Sequence, residues 1–226
     1  MNSRDEEKAS RRVLVVSPHP DDESLGCGGT LRGHVVAGDT VRVLFLTSGE
    51  NGGHGVPPEL VADVREKEAQ EAASILGIAD ITFCREKDGA LTTTPSLLEH
   101  VRRAIEDFQP DVIYLPHDHE MHPDHRAAVD IVRHVLERSA RDPDVWMFEV
   151  WTPTQRIDQV VDISAFAEVK RQAIRAYRSQ CAVIDFEQAV MGLNRYRGEM
   201  HSWPEGEFAE VFTRLELKPC PPEKCL

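Results

Sequence analysis

The sequence predicts an α/β chain: a Rossmann-like, doubly wound, mainly parallel sheet with helices on both faces. Three observations predict it. Short apolar runs rich in β-branched or aromatic residues are bounded by Pro, Gly or acids, helical periodicity fills the intervals between them, and the two alternate through about residue 140. Such alternation implies βαβ units with right-handed crossovers.

Taken in order, the predicted strands are Val13 to Val16, Val41 to Leu46, Ile81 to Phe83 and Val112 to Leu115. Between the second and third, Leu60, Val61, Val64, Ala72, Ile75 and Leu76 form a helical stripe that Gly77 ends as a C-terminal cap. Leu97, Leu98, Val101, Ile105 and Phe108 form the next stripe. SARDPD at 139 to 144 is a turn cluster before the strand-like VWMFEVW. A helix is expected from Ile163 to Tyr177, with Phe166, Val169, Ala173, Ile174 and Tyr177 inward, and a late strand at FAEVF, 208 to 212.

A length of 226 residues suits one large domain, with a core of about 12 to 212, a charged N-terminal tail and a C-terminal tail containing Pro and Cys. The formal charge of −13 argues against nucleic acid or an anionic membrane as partner, because neutralising phosphates needs Lys/Arg patches. A small molecule fits more easily, and the composition is compatible with a homo-oligomer. MNSRDEEKASRR is followed by no apolar signal region, and no apolar run approaches the roughly 18 residues of a membrane helix, so a cytoplasmic protein is expected. The five cysteines are scattered without a C-x-x-C pair, which disfavours a disulfide framework and a structural zinc cluster.

Two clusters stand out. HPDDE, residues 19 to 23, follows the first strand, where ligands gather in an open parallel sheet. Pro18 and Pro20 restrict the backbone around His19, and three consecutive acids concentrate charge that a cation would offset. Histidine and aspartate suit a catalytic divalent ion, which usually takes three protein ligands and leaves a position for water. His19 and either Asp21 or Asp22 would supply two of them. A solvated turn with acids at a helix N-terminus is the competing reading.

The second cluster, HPDH within LPHDHEMHPDHRAAVDIV, follows the fourth strand. His122 and His125 are three residues apart, hence neighbours on a helix, so one can bind metal while the other faces substrate. Asp124 is placed to orient an imidazole by accepting its N–H. His117 and His119 compete for the ligand role, since an H-x-H pair on extended chain also points one way.

HPDDE, the following LGCGGTL and HPDH together resemble the PIG-L/LmbE-like family of zinc-dependent N-acetylglucosaminyl deacetylases. VREKEAQEAASILGI at 64 to 78, KDGAL at 87 to 91, VVDISAFAEVKRQAIRAYRSQ at 160 to 180 and FAEVF extend the likeness. The resemblance implies removal of acetyl from an N-acetylated amino-sugar conjugate. It implies Zn²⁺ held by His19, Asp22 and His125, Asp21 as general base, and a protonated His122 stabilising the oxyanion. It also suggests Arg65 and Asp88 as grips for substrate hydroxyls, although Arg65 is equally readable as a partner of Glu66 or Glu68, and Asp88-Gly89 as a turn.

Fe²⁺ shares the two-histidine, one-carboxylate donor set. The same chemistry would serve a thiol-conjugate amide. A nucleotide-binding Rossmann module fits poorly, since a G-x-G-x-x-G beginning at Gly26 would need Gly where Leu31 stands. Gly26, Gly28 and Gly29 read instead as close packing at the start of a helix.

Overall fold

The computed structural model describes residues 10–53, 55–201 and 206–217. In chain order its elements are β1 (Arg12–Ser17), α1 (Asp22–Val36), β2 (Thr40–Thr47), α2 (Pro58–Leu76), β3 (Asp80–Glu86), α3 (Pro95–Phe108), β4 (Val112–Pro116) and α4 (Pro123–Leu136). There follow β5 (Asp144–Phe148), β6 (Gln159–Asp162), α5 (Ala167–Ala176), α6 (Arg178–Cys181), α7 (Phe186–His201) and β7 (Ala209–Arg214). One seven-stranded sheet has the order β3-β2-β1-β4-β5-β7-β6. Its first five strands pair in parallel, while β7 lies antiparallel between β5 and β6. The order reverses between β1 and β4, which opens a crevice at their carboxyl ends.

The strand pleat explains the double winding. Leu14 and Val16 face a core with α3 and α4, whereas Val13 and Val15 face a second core with α1, α2 and α5. Gly77 ends α2 in the left-handed conformation, φ 83°, as its sequence position implied.

The phase of α2 differs from the expected stripe. Leu60 and Val64 are exposed, and the buried face is Val61, Arg65, Glu68, Ala69, Ala72, Ala73 and Leu76. An apolar-inward reading failed here because the helix turns two charged residues into the molecule. The Ile163–Tyr177 helix begins later than expected. A 3₁₀ turn covers Ser164–Phe166 before α5, with Ala173, Ile174 and Tyr177 buried but Phe166 and Val169 only half-buried. Strand β6 and helix α7 were not anticipated. Among the described residues no helix is long and apolar enough to cross a membrane. Cys27, Cys84 and Cys181 are free thiols, and Cys220 and Cys225 lie outside the described residues.

Helix α1 is broken at Cys27, φ −141° and ψ 16°. The break frees backbone groups in the interior, and three of them are met by side chains. Glu210 on β7 accepts the N–H groups of Gly29 (2.9 Å) and Thr30 (2.8 Å), while Lys170 donates to the Leu25 carbonyl (2.8 Å) and to Glu210 (2.6 Å). Both side chains of this ion pair are fully buried. The glycines permit the close approach: a Cβ on Gly26 would lie 2.0 Å from the Phe148 ring, and one on Gly29 2.7 Å from Ile163. Gly28 has ordinary clearance, 3.5 Å from Lys170. The first half of α1 is thereby held against β5 and β7 with its N-terminus at the crevice.

Candidate metal centre

The HPDDE segment bridges β1 and α1. The Asp22 carboxylate accepts the His19 backbone N–H (2.9 Å), and its Oδ2 lies 3.1 Å from His19 Nδ1 and 3.2 Å from His125 Nε2. One carboxylate oxygen thus sits between two imidazoles from different loops. Asp21 immediately before it has φ 127° and ψ −32°, a conformation that costs a non-glycine residue of order 1–3 kcal/mol. Neighbours hold it there. Its N–H donates to Glu23 Oε2 (3.2 Å), Glu23 Oε1 accepts the Tyr177 and Ser24 hydroxyls (2.6 Å each), and its carboxylate receives Arg65 Nη2 at 3.0 Å.

On the β4 side, His122 is the N-cap of α4 and Pro123 its first residue, an arrangement suited to a ring with no N–H to lose. His122 Nδ1 accepts the Asp124 N–H at 3.2 Å. In the neutral ring this leaves the hydrogen on Nε2. His125 is fully buried, and neither of its ring nitrogens meets a partner at a hydrogen-bonding angle, although Asp22 Oδ2 is 3.2 Å from Nε2. Buried polar atoms are rarely left so.

Ring nitrogens of His19, His122 and His125 come within 4.8 Å of one another, as do His19, Asp88 and Asp124 ligand atoms. The second trio is otherwise engaged: Asp124 accepts the N–H groups of Gly89 (2.7 Å) and Leu91 (3.1 Å), and Asp88 accepts that of Asn51 (2.9 Å). Two imidazoles with a carboxylate between them, one imidazole meeting no partner at a hydrogen-bonding angle, form a donor set that fits a divalent ion. The competing histidines drop out. His117 Nε2 meets the Thr152 carbonyl at 2.6 Å and its Nδ1 accepts the His119 N–H at 3.1 Å, while the His119 side chain is 91% exposed.

The electrostatics separate these groups. Burial pushes Asp21 up to about 8, with the Asp22 and Glu23 charges adding to it and Arg65 opposing. Burial also acts to raise Asp22, but His125 and His19 outweigh it and hold its carboxyl well below the usual range. His19 is raised: burial would lower it, and hydrogen bonds to Asp124, Asp22 and Asp88 prevail. Those three acids would favour any cation at that place. His122 is lowered, by burial first and then by the neighbouring His19 and His125.

Arg65 is buried, and its guanidinium donates to Asp21, to the Pro20 carbonyl and to the Gly49 carbonyl (2.9 Å). It does not pair with Glu66 or Glu68, because Glu66 meets Arg85 and Ser48, and Glu68 caps Ser179; its Nε has no hydrogen-bond partner, and the residue lines the cavity. Asp88 Oδ1 lies 3.1 Å from His19 Nε2, beside Gly89 at φ 77°, so the residue is both turn and site wall. Asp124 does reach an imidazole, that of His19 at 3.3 Å, across from the other loop.

A cavity of about 320 Å³ opens over these groups, and its lining includes residues that sequence patterns missed: Trp151, Gln180 and Phe186. Glu120 was missed too, although it lies inside the histidine-rich segment. Its carboxylate accepts the N–H groups of Val150 (2.6 Å) and Trp151 (3.0 Å) and stands 3.8 Å from His125 Nδ1.

Fold and site together define an α/β protein with a two-histidine, one-carboxylate centre at the switch point of its sheet. The profile described as PIG-L, GlcNAc-PI de-N-acetylase, matches residues 14–136, over half of the chain. The chain therefore belongs to the PIG-L family. It is 30% identical over 190 residues to a probable N-acetyl-alpha-D-glucosaminyl L-malate deacetylase 2 of Bacillus anthracis, covering 77% of this chain and 84% of that protein. It is 30% identical over 187 residues to the diacetylchitobiose deacetylase of Thermococcus kodakarensis, covering 75% and 70%. The crystal structure of a conserved protein of Thermus thermophilus superposes with a TM-score of 0.79 at 31% identity, covering 94% of this chain and 98% of that one.

Proposed function

We propose that this protein is a metal-dependent N-deacetylase that removes acetate from an N-acetylglucosaminyl-type conjugate. The observation that carries this reading is the buried Asp22 carboxylate between His19 and His125, with a raised, strained Asp21 next to it. His19, Asp22 and His125 would hold the ion. Zn²⁺ suits that set, and Fe²⁺ shares it. When bound, such an ion supplies Lewis acidity toward the amide carbonyl and lowers the pKa of water.

The chain's own residues handle the protons. Asp21, desolvated and fixed by Arg65 and Glu23, accepts a proton from water as its oxygen attacks the carbonyl carbon. The same proton then passes from Asp21 to the amine nitrogen as the C–N bond breaks, releasing acetate and the free amine. Burial works against the charged form of Asp21, which favours a carboxyl that both takes up and returns a proton. His122 donates its Nε2–H to the carbonyl oxygen as negative charge develops there. Arg65 is a positioning residue for Asp21, and Asp88 and Asn51 on the cavity wall meet substrate hydroxyls.

The test is acetate release from a panel of N-acetylglucosamine derivatives, with the protein chelated and then reconstituted with Zn²⁺ or, anaerobically, Fe²⁺. Metal-dependent release is expected. A protein carrying stoichiometric metal that releases acetate from no member overturns the reading.

A further inference from the structure

The cavity has two unlike walls. One is polar: Asn51, Arg65, Asp88 and Gln180. The other is apolar: Leu25, Trp151, Val183, Ile184 and Phe186. On the apolar wall Trp151, Val183 and Ile184 are 41%, 49% and 39% exposed, and thus belong to the few large apolar side chains that the fold leaves open to solvent. Their grouping at the mouth of a catalytic cavity is unlike scattered surface apolarity.

Trp151 is held firmly. Its N–H donates to Glu120, whose carboxylate also approaches the ring of His125, so the indole's backbone and the metal centre share one anchor. Its ring meets Phe186 edge to face, centroids 5.5 Å apart. Arg197 of α7 grips Glu149 through two bonds of 3.0 and 2.8 Å and the Thr154 carbonyl at 2.8 Å, fixing the loop on both sides of Trp151. A rigid, half-exposed indole is a low-entropy stacking surface.

Charge narrows the ligand. Among the described lining residues the sole arginine or lysine is Arg65, whose two terminal nitrogens are engaged with Asp21 and two carbonyls and whose Nε is buried, while Asp21, Asp22 and Asp88 are acids. A carboxylate on the substrate would meet no free cationic side chain there. In a 2-acetamido sugar, carbon 2 bears the amide, so the carbon 1 substituent and the carbon 3 hydroxyl diverge from the reacting centre. The polar wall matches the hydroxyls, which leaves the apolar wall to the substituent at carbon 1.

Resting on the deacetylase reading above, we infer that Trp151, with Val183, Ile184 and Phe186, forms an aglycone subsite that selects N-acetylglucosaminides carrying an uncharged, aromatic or otherwise flat apolar group. The experiment measures kcat/KM of the metal-loaded enzyme for three glycosides of N-acetylglucosamine: an aryl, a methyl, and one of a dicarboxylic hydroxy acid. The aryl glycoside is expected to exceed the methyl glycoside by about tenfold, mostly through KM, with the dicarboxylate slowest. Trp151→Ala should collapse the aryl-to-methyl ratio toward one, and Trp151→Phe should retain most of it. Equal values for aryl and methyl in the parent enzyme, or a preference for the dicarboxylate, overturn the subsite while leaving the deacetylase reading intact. Acetate from none of the three overturns the deacetylase reading, and the subsite with it.

Discussion

Residues 19–22 read His-Pro-Asp-Asp and residues 122–125 read His-Pro-Asp-His, each following a central parallel strand, yet the two loops fold differently. In the second, the chain enters its helix without strain. His122 caps from extended backbone, φ −73° and ψ 127°, Pro123 occupies the first turn, and Asp124 caps two backbone N–H groups of the β3–α3 loop. In the first, Pro20 does not begin the helix, Asp21 is forced to φ 127°, and α1 starts one residue later, at Asp22.

The same three residue types therefore yield opposite electrostatics. Asp21 is raised to about 8 by burial, whereas Asp124 is lowered: burial opposes this, but the hydrogen bonds to His19, Gly89 and Leu91 outweigh it. A relaxed helix entry makes an aspartate structural. A strained, desolvated one suits it to the proton-carrying role proposed for Asp21.

The largest test of this contrast is Asp21→Asn. It should retain stoichiometric metal, read by elemental analysis, while turnover falls by about 10²- to 10⁴-fold, the range for loss of a general acid–base. Turnover close to the parent's would remove the functional half of the comparison. His122→Ala should also keep its metal and lose about 10²- to 10³-fold in kcat, as for one oxyanion donor. If the donor is the neutral ring, as proposed, the parent's rate should not fall as pH rises through 6 to 7. A fall there would restore the protonated donor.

Asp124→Ala sharpens the relaxed side. It leaves the N–H groups of Gly89 and Leu91 without their acceptor, for a loss of about 1–3 kcal/mol in denaturant unfolding. An unchanged unfolding midpoint would mean the loop is held by other contacts.

The remaining test is linkage in the metal-free protein. A carboxyl whose folded pKa lies above its unfolded value binds more protons folded than unfolded between the two. Its contribution is fully present below about 4 and is lost as pH rises toward 8. Metal-free parent should therefore lose stability relative to Asp21→Asn across that window, by no more than about 1.4 kcal/mol per pH unit. Parallel stability curves for the two proteins would show that Asp21 is not raised.

Much of the frame was legible because local patterns carry it. Four apolar runs became the four strands β1 to β4 within a few residues at each end, and Pro, Gly and histidine spacing placed both motifs at strand ends. Periodicity held for Val61, Ala72, Ile75 and Leu76 of α2 but not for Leu60 and Val64, since a stripe count presumes that buried means apolar and Arg65 and Glu68 point inward. It gave no sign of β6 or of the antiparallel placement of β7, because strand order depends on distant pairing. Glu120 and Trp151 were missed for a related reason: their roles arise only when the end of β5 is brought against the β4 loop.

By itself, the sequence determined the double winding and the two His-Pro-Asp loops and, through resemblance, suggested the division of roles proposed for His19, Asp21, Asp22, His122 and His125. Those are matters of spacing and residue chemistry, which local steric preference and side-chain donors dictate. Only the tertiary structure decided that Arg65 meets Asp21, that Asp124 reaches His19 instead of its own neighbours, and that one cavity wall is apolar. Each of those depends on distance, burial and shared fields between segments far apart in the chain, and no single segment contains them.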